Sequence, residues 1–207
     1  MIPYYALFAG TTGVVARCIS HVEVIGRENF PREGPVILTP NHQTIADPPI
    51  LGAFLPRKIH YMVKIEAWNA PFFGWLARGF EAFPVRRGEV DLQAYRRALK
   101  LLADGKVVGI FPEGHRSNDG RLLPGQPGAI LLAQRSGSPL LPVAMTGVTE
   151  VLSVPGFALR RTIRIVVGQP YHPAATGRGQ TAELTDELMA RIAQLLPPQY
   201  SLPARPK

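Results

Sequence analysis

The chain has 207 residues, 46% hydrophobic and 18% charged, a balance that excludes a disordered chain or a coiled coil and fits one domain with a sizeable core. Its single cysteine, Cys18, excludes an internal disulfide framework and a cysteine cage for a metal. The net charge is +8, and 18 of the 23 cations are arginines, whose planar fork suits phosphate, so the expected partners are anionic.

In chain order, residues 1–20 read as an apolar leader. No side-chain charge precedes Arg17, but Pro3, Gly10 and Thr11-Thr12-Gly13 interrupt the segment, so no run reaches the ~18 apolar residues of a membrane span. The cationic start of a signal peptide is also missing. Two readings stay open: the leader lies in a membrane interface through Tyr4, Tyr5, Leu7 and Phe8, or it packs on the domain. Strands are then expected at His21–Ile25, Val36–Thr39, Lys58–Val63, Lys106–Phe111, Leu140–Met145 and Thr162–Val167.

Between them the spacing of three and four turns helical. A helix-like apolar stretch runs from Ile50 to Leu55. Leu92, Tyr95, Leu99 and Leu102 mark a second helix that Gly105 stops. Pro127 opens a third, which Gly137 closes. Thr181 reads as the cap of a fourth, with Leu184, Leu188, Ile192 and Leu195 as its apolar stripe. Residues 197–207, with four prolines, read as a tail. This alternation predicts a single layered α/β domain with a mixed, mostly parallel central sheet covered by helices.

Three loops at strand ends carry the chemistry. The first is Asn41-His42-Gln43-Thr44-Ile45-Ala46-Asp47-Pro48-Pro49. A continuous helix would place His42 and Asp47 about 140° apart, so only a curled loop returns the carboxylate to the imidazole and frees the other ring nitrogen as a base. Asp47 before proline also reads simply as a helix N-cap. The second loop is Phe111-Pro112-Glu113-Gly114-His115-Arg116, where Gly114 admits close backbone approach and Arg116 offers a fork to an oxyanion. The third is Phe83-Pro84-Val85-Arg86-Arg87, whose arginines also fit a solvated surface pair. No His/Asp/Glu cluster has metal-ligand spacing, so no metal is expected.

In this order, Asn41-His42 with Asp47, then Phe83-Pro84-Val85-Arg86, Phe111-Pro112-Glu113-Gly114 and Leu141-Pro142-Val143-Ala144, the chain resembles the glycerolipid acyltransferase family of the bacterial 1-acyl-sn-glycerol-3-phosphate acyltransferase type. The resemblance covers Asn29 to Gly168 and makes 21–196 the acyltransferase domain. It implies a fatty acyl transfer from acyl-CoA or acyl carrier protein, as donor substrate and not cofactor, to a lysophospholipid in phospholipid biosynthesis. It implies His42 as general base and Asp47 as its partner, and Arg86, Glu113, Gly114, Arg116, Asn41 and Lys64 as substrate-binding residues. Thr44 stands where the family commonly has Ser, and His115 where it has Thr; the second departure bears on the acceptor's head group.

Cys18 lies outside every motif, which argues against an acyl-cysteine intermediate. Fatty substrates imply a peripheral protein at the cytoplasmic face of an anionic membrane. Alternatives are another lyso-lipid acceptor or a non-catalytic anionic-lipid-binding module, although lipid binding alone needs no base. Nucleic acid is not an expected partner, since there is no zinc-finger spacing, no aromatic RNA-binding block and no dense basic run.

Overall fold

The β-branched runs pair into one seven-stranded sheet in a computed structural model that describes residues 4–86, 91–153, 161–174 and 180–201. In chain order the elements are α1 (Tyr4–Ile19), β1 (His21–Ile25), β2 (Val36–Pro40), α2 (Asp47–Phe54), β3 (Ile59–Lys64), α3 (Ile65–Asn69), α4 (Pro71–Gly79) and β4 (Phe83–Val85). There follow α5 (Leu92–Ala103), β5 (Val107–Gly109), α6 (Gly128–Ser136), β6 (Leu140–Thr146), α7 (Val148–Leu152), β7 (Thr162–Val167), α8 (Thr181–Leu195) and α9 (Pro198–Ser201). The strand order is β1-β7-β6-β2-β5-β3-β4. Among the described residues only the β6–β7 strand pair is antiparallel, so the sheet is mixed and mostly parallel.

Central β2 is buried at all five positions, as expected for a parallel strand covered on both faces. Val36 and Leu38 point into the core under α2, with Phe54, Ile59 and Ile163. Ile37 points into the opposite core, which α5, α6 and α8 cover through Ala98, Ile130 and Leu188. Loops leaving the C-terminal ends of β2, β5 and β6 therefore emerge side by side, where open α/β sheets place their sites.

Several expectations need correction. Gly10 and Thr11-Thr12-Gly13 do not interrupt the leader: α1 is continuous, and Gly13 is buried with its Cα facing Ala53. The Tyr5 hydroxyl accepts from Ile59 N at 3.1 Å and reaches Gly52 O at 3.4 Å, which docks α1 on α2 and β3. Thr181 is the first residue of α8, not its cap; Gln180 precedes the helix without a side-chain cap. Asp91 caps α5 instead, accepting from Gln93 N and Ala94 N. Pro198–Ser201 of the expected tail form α9, and 202–207 lie outside the described residues. β5 stops at Gly109, where a Cβ would meet the Tyr61 ring at 2.3 Å.

Gly147 turns the chain from β6 into α7 at φ 89°, and a Cβ there would lie 2.0 Å from Thr162 O. Gly147→Ala is expected to destabilise the fold by at least the about 1–2 kcal/mol of a left-handed backbone, read as a lowered melting temperature.

Candidate active site

The first strand-end loop is pinned at its start. Asn41, 3% exposed, donates Nδ2–H to Met145 O at 3.0 Å and accepts Met145 N–H on Oδ1 at 2.7 Å. Both polar atoms of its amide are thus engaged with β6. The next residue is His42, whose Nδ1 lies 2.9 Å from Asp47 Oδ2.

Asp47 opens α2, and its carboxylate reaches back into the loop it ends. Oδ2 also accepts Gln43 N–H at 2.7 Å and Thr44 N–H at 2.9 Å, while Oδ1 accepts the Thr44 hydroxyl at 2.6 Å. The N-cap reading and the His-partner reading of Asp47 are therefore parts of one arrangement: the carboxylate satisfies loop amides and the ring together. An oxygen already accepting two backbone N–H groups is an acceptor for the ring as well, which places the proton on Nδ1 and the lone pair on Nε2. Nε2 has no hydrogen-bond partner among the described residues.

The His42 ring is further fixed by stacking on Phe111 at 3.9 Å between centroids, and Phe111 stacks on Tyr61 at 5.6 Å. Phe111 belongs to the second loop but its motif gives no hint of this role, because the contact joins two loops distant in sequence.

Glu113 is 2% exposed and points beneath the loops. Oε1 accepts His42 N–H at 2.6 Å and Oε2 accepts Leu123 N–H at 2.9 Å. Burial pushes its carboxyl up to about 7, against the opposing pull of these two amides; nearby Asp47 raises it further. Gly114 follows at φ 72° and turns the loop outward, so that His115 and Arg116 face solvent.

The expected cations share this edge of the sheet. Lys64 ends β3 and Arg86 follows β4, with Lys64 in register with Val85. Both are exposed; Lys64 Nζ lies 3.4 Å from Glu66, and Arg86 N–H donates to Asp91 at 2.9 Å. The structure joins His42 to Asp47 through its ring and to Glu113 through its backbone N–H, holds Asn41 on β6, and leaves Lys64, Arg86 and Arg116 exposed. Arg87 lies outside the described residues.

Two apolar cavities flank the loop. One of about 240 Å³ lies between α1, the loop and α7, lined by Val15, Ala46, Ile50 and Ile163 among others. The second, about 90 Å³, is lined by Ile45, Pro48, Tyr61 and Phe73. Pro49 and Leu76 line both, so the loop forms the wall between them. Of the aromatic run on α4, Phe73 and Leu76 reach a cavity, whereas Phe72 and Trp75 are 63% and 59% exposed and belong neither to a core nor to a cavity wall of this pair. No group of three or more His, Cys, Asp or Glu is placed to hold a metal among the described residues.

A family model described as "Acyltransferase" matches residues 21–146, more than half of the chain and all of the first three loops. The chain belongs to the acyltransferase family. Within that family it is 30% identical over 196 residues to the 1-acyl-sn-glycerol-3-phosphate acyltransferase of Bacillus subtilis, covering 92% of this chain and 96% of that one. It is 33% identical over 130 residues to the human 1-acyl-sn-glycerol-3-phosphate acyltransferase alpha, covering 60% of this chain and 45% of the relative. The chloroplastic enzyme BAT2 of Brassica napus is 28% identical, and the chain spans 50% of its length. Among solved structures, the 1-acyl-sn-glycerophosphate acyltransferase PlsC of Thermotoga maritima superposes with a TM-score of 0.72 at 24% identity, over 92% of this chain and 78% of that one. It shares the fold of this acyltransferase.

The carboxylate geometry separates two substitutions. In Asp47→Asn, the amide oxygen can occupy the Oδ2 position and keep the ring and both backbone amides, with Nδ2 turned to the Thr44 hydroxyl. Asp47→Ala strands those donors, at about 1–3 kcal/mol for each buried group left unpaired. Thermal melts should place Asp47→Ala well below Asp47→Asn, and Asp47→Asn close to the unsubstituted chain.

Proposed function

We propose that this acyltransferase moves a fatty acyl group from acyl-CoA or acyl carrier protein to the free hydroxyl of 1-acyl-glycerol 3-phosphate, giving phosphatidic acid. The observation that carries the reading is the buried His42–Asp47 pair with Nε2 unengaged, set in a loop that walls two apolar cavities. His42 Nε2 takes the proton of the acceptor hydroxyl as its oxygen attacks the thioester carbonyl. Asp47 stabilises the resulting imidazolium. The tetrahedral intermediate then collapses: the C–S bond breaks, the ester remains, and the imidazolium proton leaves with the sulfur as a free thiol. Two fatty substrates meet at this carbonyl, and the apolar cavities on either side of the loop suit their chains.

The acceptor's phosphate is matched by Arg86, Arg116 and Lys64, which are exposed at or beyond the C-terminal ends of the parallel strands β4, β5 and β3. Charge-assisted hydrogen bonds are roughly twice as strong as neutral ones, so exposed arginines still bind a phosphate that arrives in their reach. Relatives from Bacillus subtilis to human carry acylation of 1-acyl-sn-glycerol 3-phosphate in their names, which supports this acceptor.

The protein acts as a peripheral protein at an anionic membrane. No helix among the described residues is long and apolar enough to cross one. Burial and exposure along the leader support both readings of it: α1 packs through Tyr5, Gly13 and Ala16, and exposes Tyr4, Leu7, Val14 and Val15 on its other side. Its outward face carries no charge before Arg17, an arrangement that favours an interfacial lipid contact over water.

Three outcomes follow. Thiol release from an acyl thioester should require 1-acyl-glycerol 3-phosphate, and His42→Ala should lower it about 10²–10⁴-fold with the circular dichroism spectrum retained. A folded His42→Ala protein with full turnover removes the assignment. In Arg86→Ala and Arg116→Ala the acceptor KM should rise far more than the donor KM, and equal changes in both would assign these arginines to another task. Leu7→Asp with Val14→Asp should abolish flotation on anionic liposomes at high salt while leaving thiol release on detergent-dispersed substrates; unchanged flotation makes the leader a packing element alone.

A further inference from the structure

Resemblance to the family implies Glu113 as a substrate-binding residue, but its surroundings describe a different task. The carboxylate is 2% exposed, and each oxygen is already engaged by a backbone amide from a different loop: His42 N–H at 2.6 Å and Leu123 N–H at 2.9 Å. A lysophospholipid reaching the site from solvent meets Arg116 and His115, which are exposed, before it meets this side chain. A buried carboxylate is also a poor neighbour for an anionic phosphate.

The same loop holds His42 a second time. Ser117 N–H donates to His42 O at 2.9 Å, and the Gln43 side chain donates to Gly120 O at 2.9 Å. Both backbone polar groups of His42 are thus bound by residues 113–117, while its ring is bound by Asp47 and Phe111. Leu122 N–H donates in turn to Tyr200 O at 3.0 Å, and Gln126 N–H to Pro112 O at 2.6 Å, so the far end of the segment is anchored independently of Glu113.

We infer that Glu113 is a positioning residue and not an acceptor ligand: its carboxylate ties the His42 backbone to the 112–124 segment and so sets where Nε2 stands. This rests on the acyl-transfer reading above. A base displaced by about 1 Å loses on the order of 10²-fold in rate, so the brace acts on turnover. It has no reason to act on acceptor affinity.

The test is Glu113→Gln, in which one amide N–H must face a backbone N–H. Steady-state thiol release should show kcat lower by about 10–100-fold, with acceptor and donor KM both within about threefold of the unsubstituted enzyme. In Glu113→Ala, which removes both acceptors, amide hydrogen exchange by NMR should show His42 and Leu123 losing protection together, while Leu122 and Gln126 keep theirs. Glu113→Asp, which retains the charge but is one methylene shorter, should give the same split and serves if Glu113→Gln does not fold.

A selective rise in acceptor KM with kcat intact overturns the inference and makes Glu113 an acceptor ligand. Unchanged protection at His42, or loss of protection throughout the 112–126 segment, overturns it too. Failure of the parent protein to release thiol with 1-acyl-glycerol 3-phosphate would overturn the functional reading instead, and the exchange data still decide whether the brace exists.

Discussion

A carboxylate withdrawn from water needs donors in proportion to its charge, and Asp47 finds four within five residues of its own position. Supplying them forces residues 42–46 into a closed curl, since the amides of Gln43 and Thr44 must turn back toward the first residue of α2. The imidazole then has one ring nitrogen committed and one open, without any further restraint on the tautomer. Pro48 and Pro49 fit this geometry because the first turn of a helix has no use for their missing amides. The two apolar cavities follow from the same curl, which lifts Ile45, Pro48 and Pro49 away from the sheet as a partition.

The exposed cations and the exposed apolar groups stand on different elements. Lys64 ends β3, Arg86 follows β4 and Arg116 lies beyond β5, all in solvent. α1, α4 and α7 present Tyr4, Leu7, Phe72, Trp75 and Leu152 as exposed apolar groups. Phe8 packs against Trp75 with ring centroids 4.7 Å apart and the planes tilted by 57°, so α1 and α4 form a joint surface rather than two separate ones. An amphiphile with a charged head and two tails across the reacting bond has the same division of character. His42, buried with Nε2 unengaged, stands where the ester of such a molecule forms.

Local chemistry made the His42–Asp47 pair legible in the sequence, because the ring, the carboxylate and the loop donors that the carboxylate binds all lie between residues 42 and 47. The strands were legible for a similar reason: buried parallel strands such as β2 leave unbroken apolar runs. What escaped were contacts made at long range. The motifs of Asn41 and Glu113 do not show that these side chains bond Met145, 104 residues away, and the backbones of His42 and Leu123, 71 and 10 residues away. The continuity of α1 was hidden by Gly13, which reads as a breaker and in fact allows close approach to Ala53. The exposure of Phe72 and Trp75 runs against their composition, and no pattern in a nine-residue helix distinguishes a core stripe from a surface one.

The Asn41–Met145 hydrogen bonds also bear on the order in which activity arises during synthesis. β2 pairs with β5 and β6, which follow it by about seventy and a hundred residues, so the central sheet depends on contacts of high sequence separation, a topology that folds slowly. A nascent chain that has emerged only as far as α6 already contains His42, Asp47, Arg86 and Arg116, but has nothing to hold the amide of Asn41. The base therefore acquires its final setting only when β6 arrives.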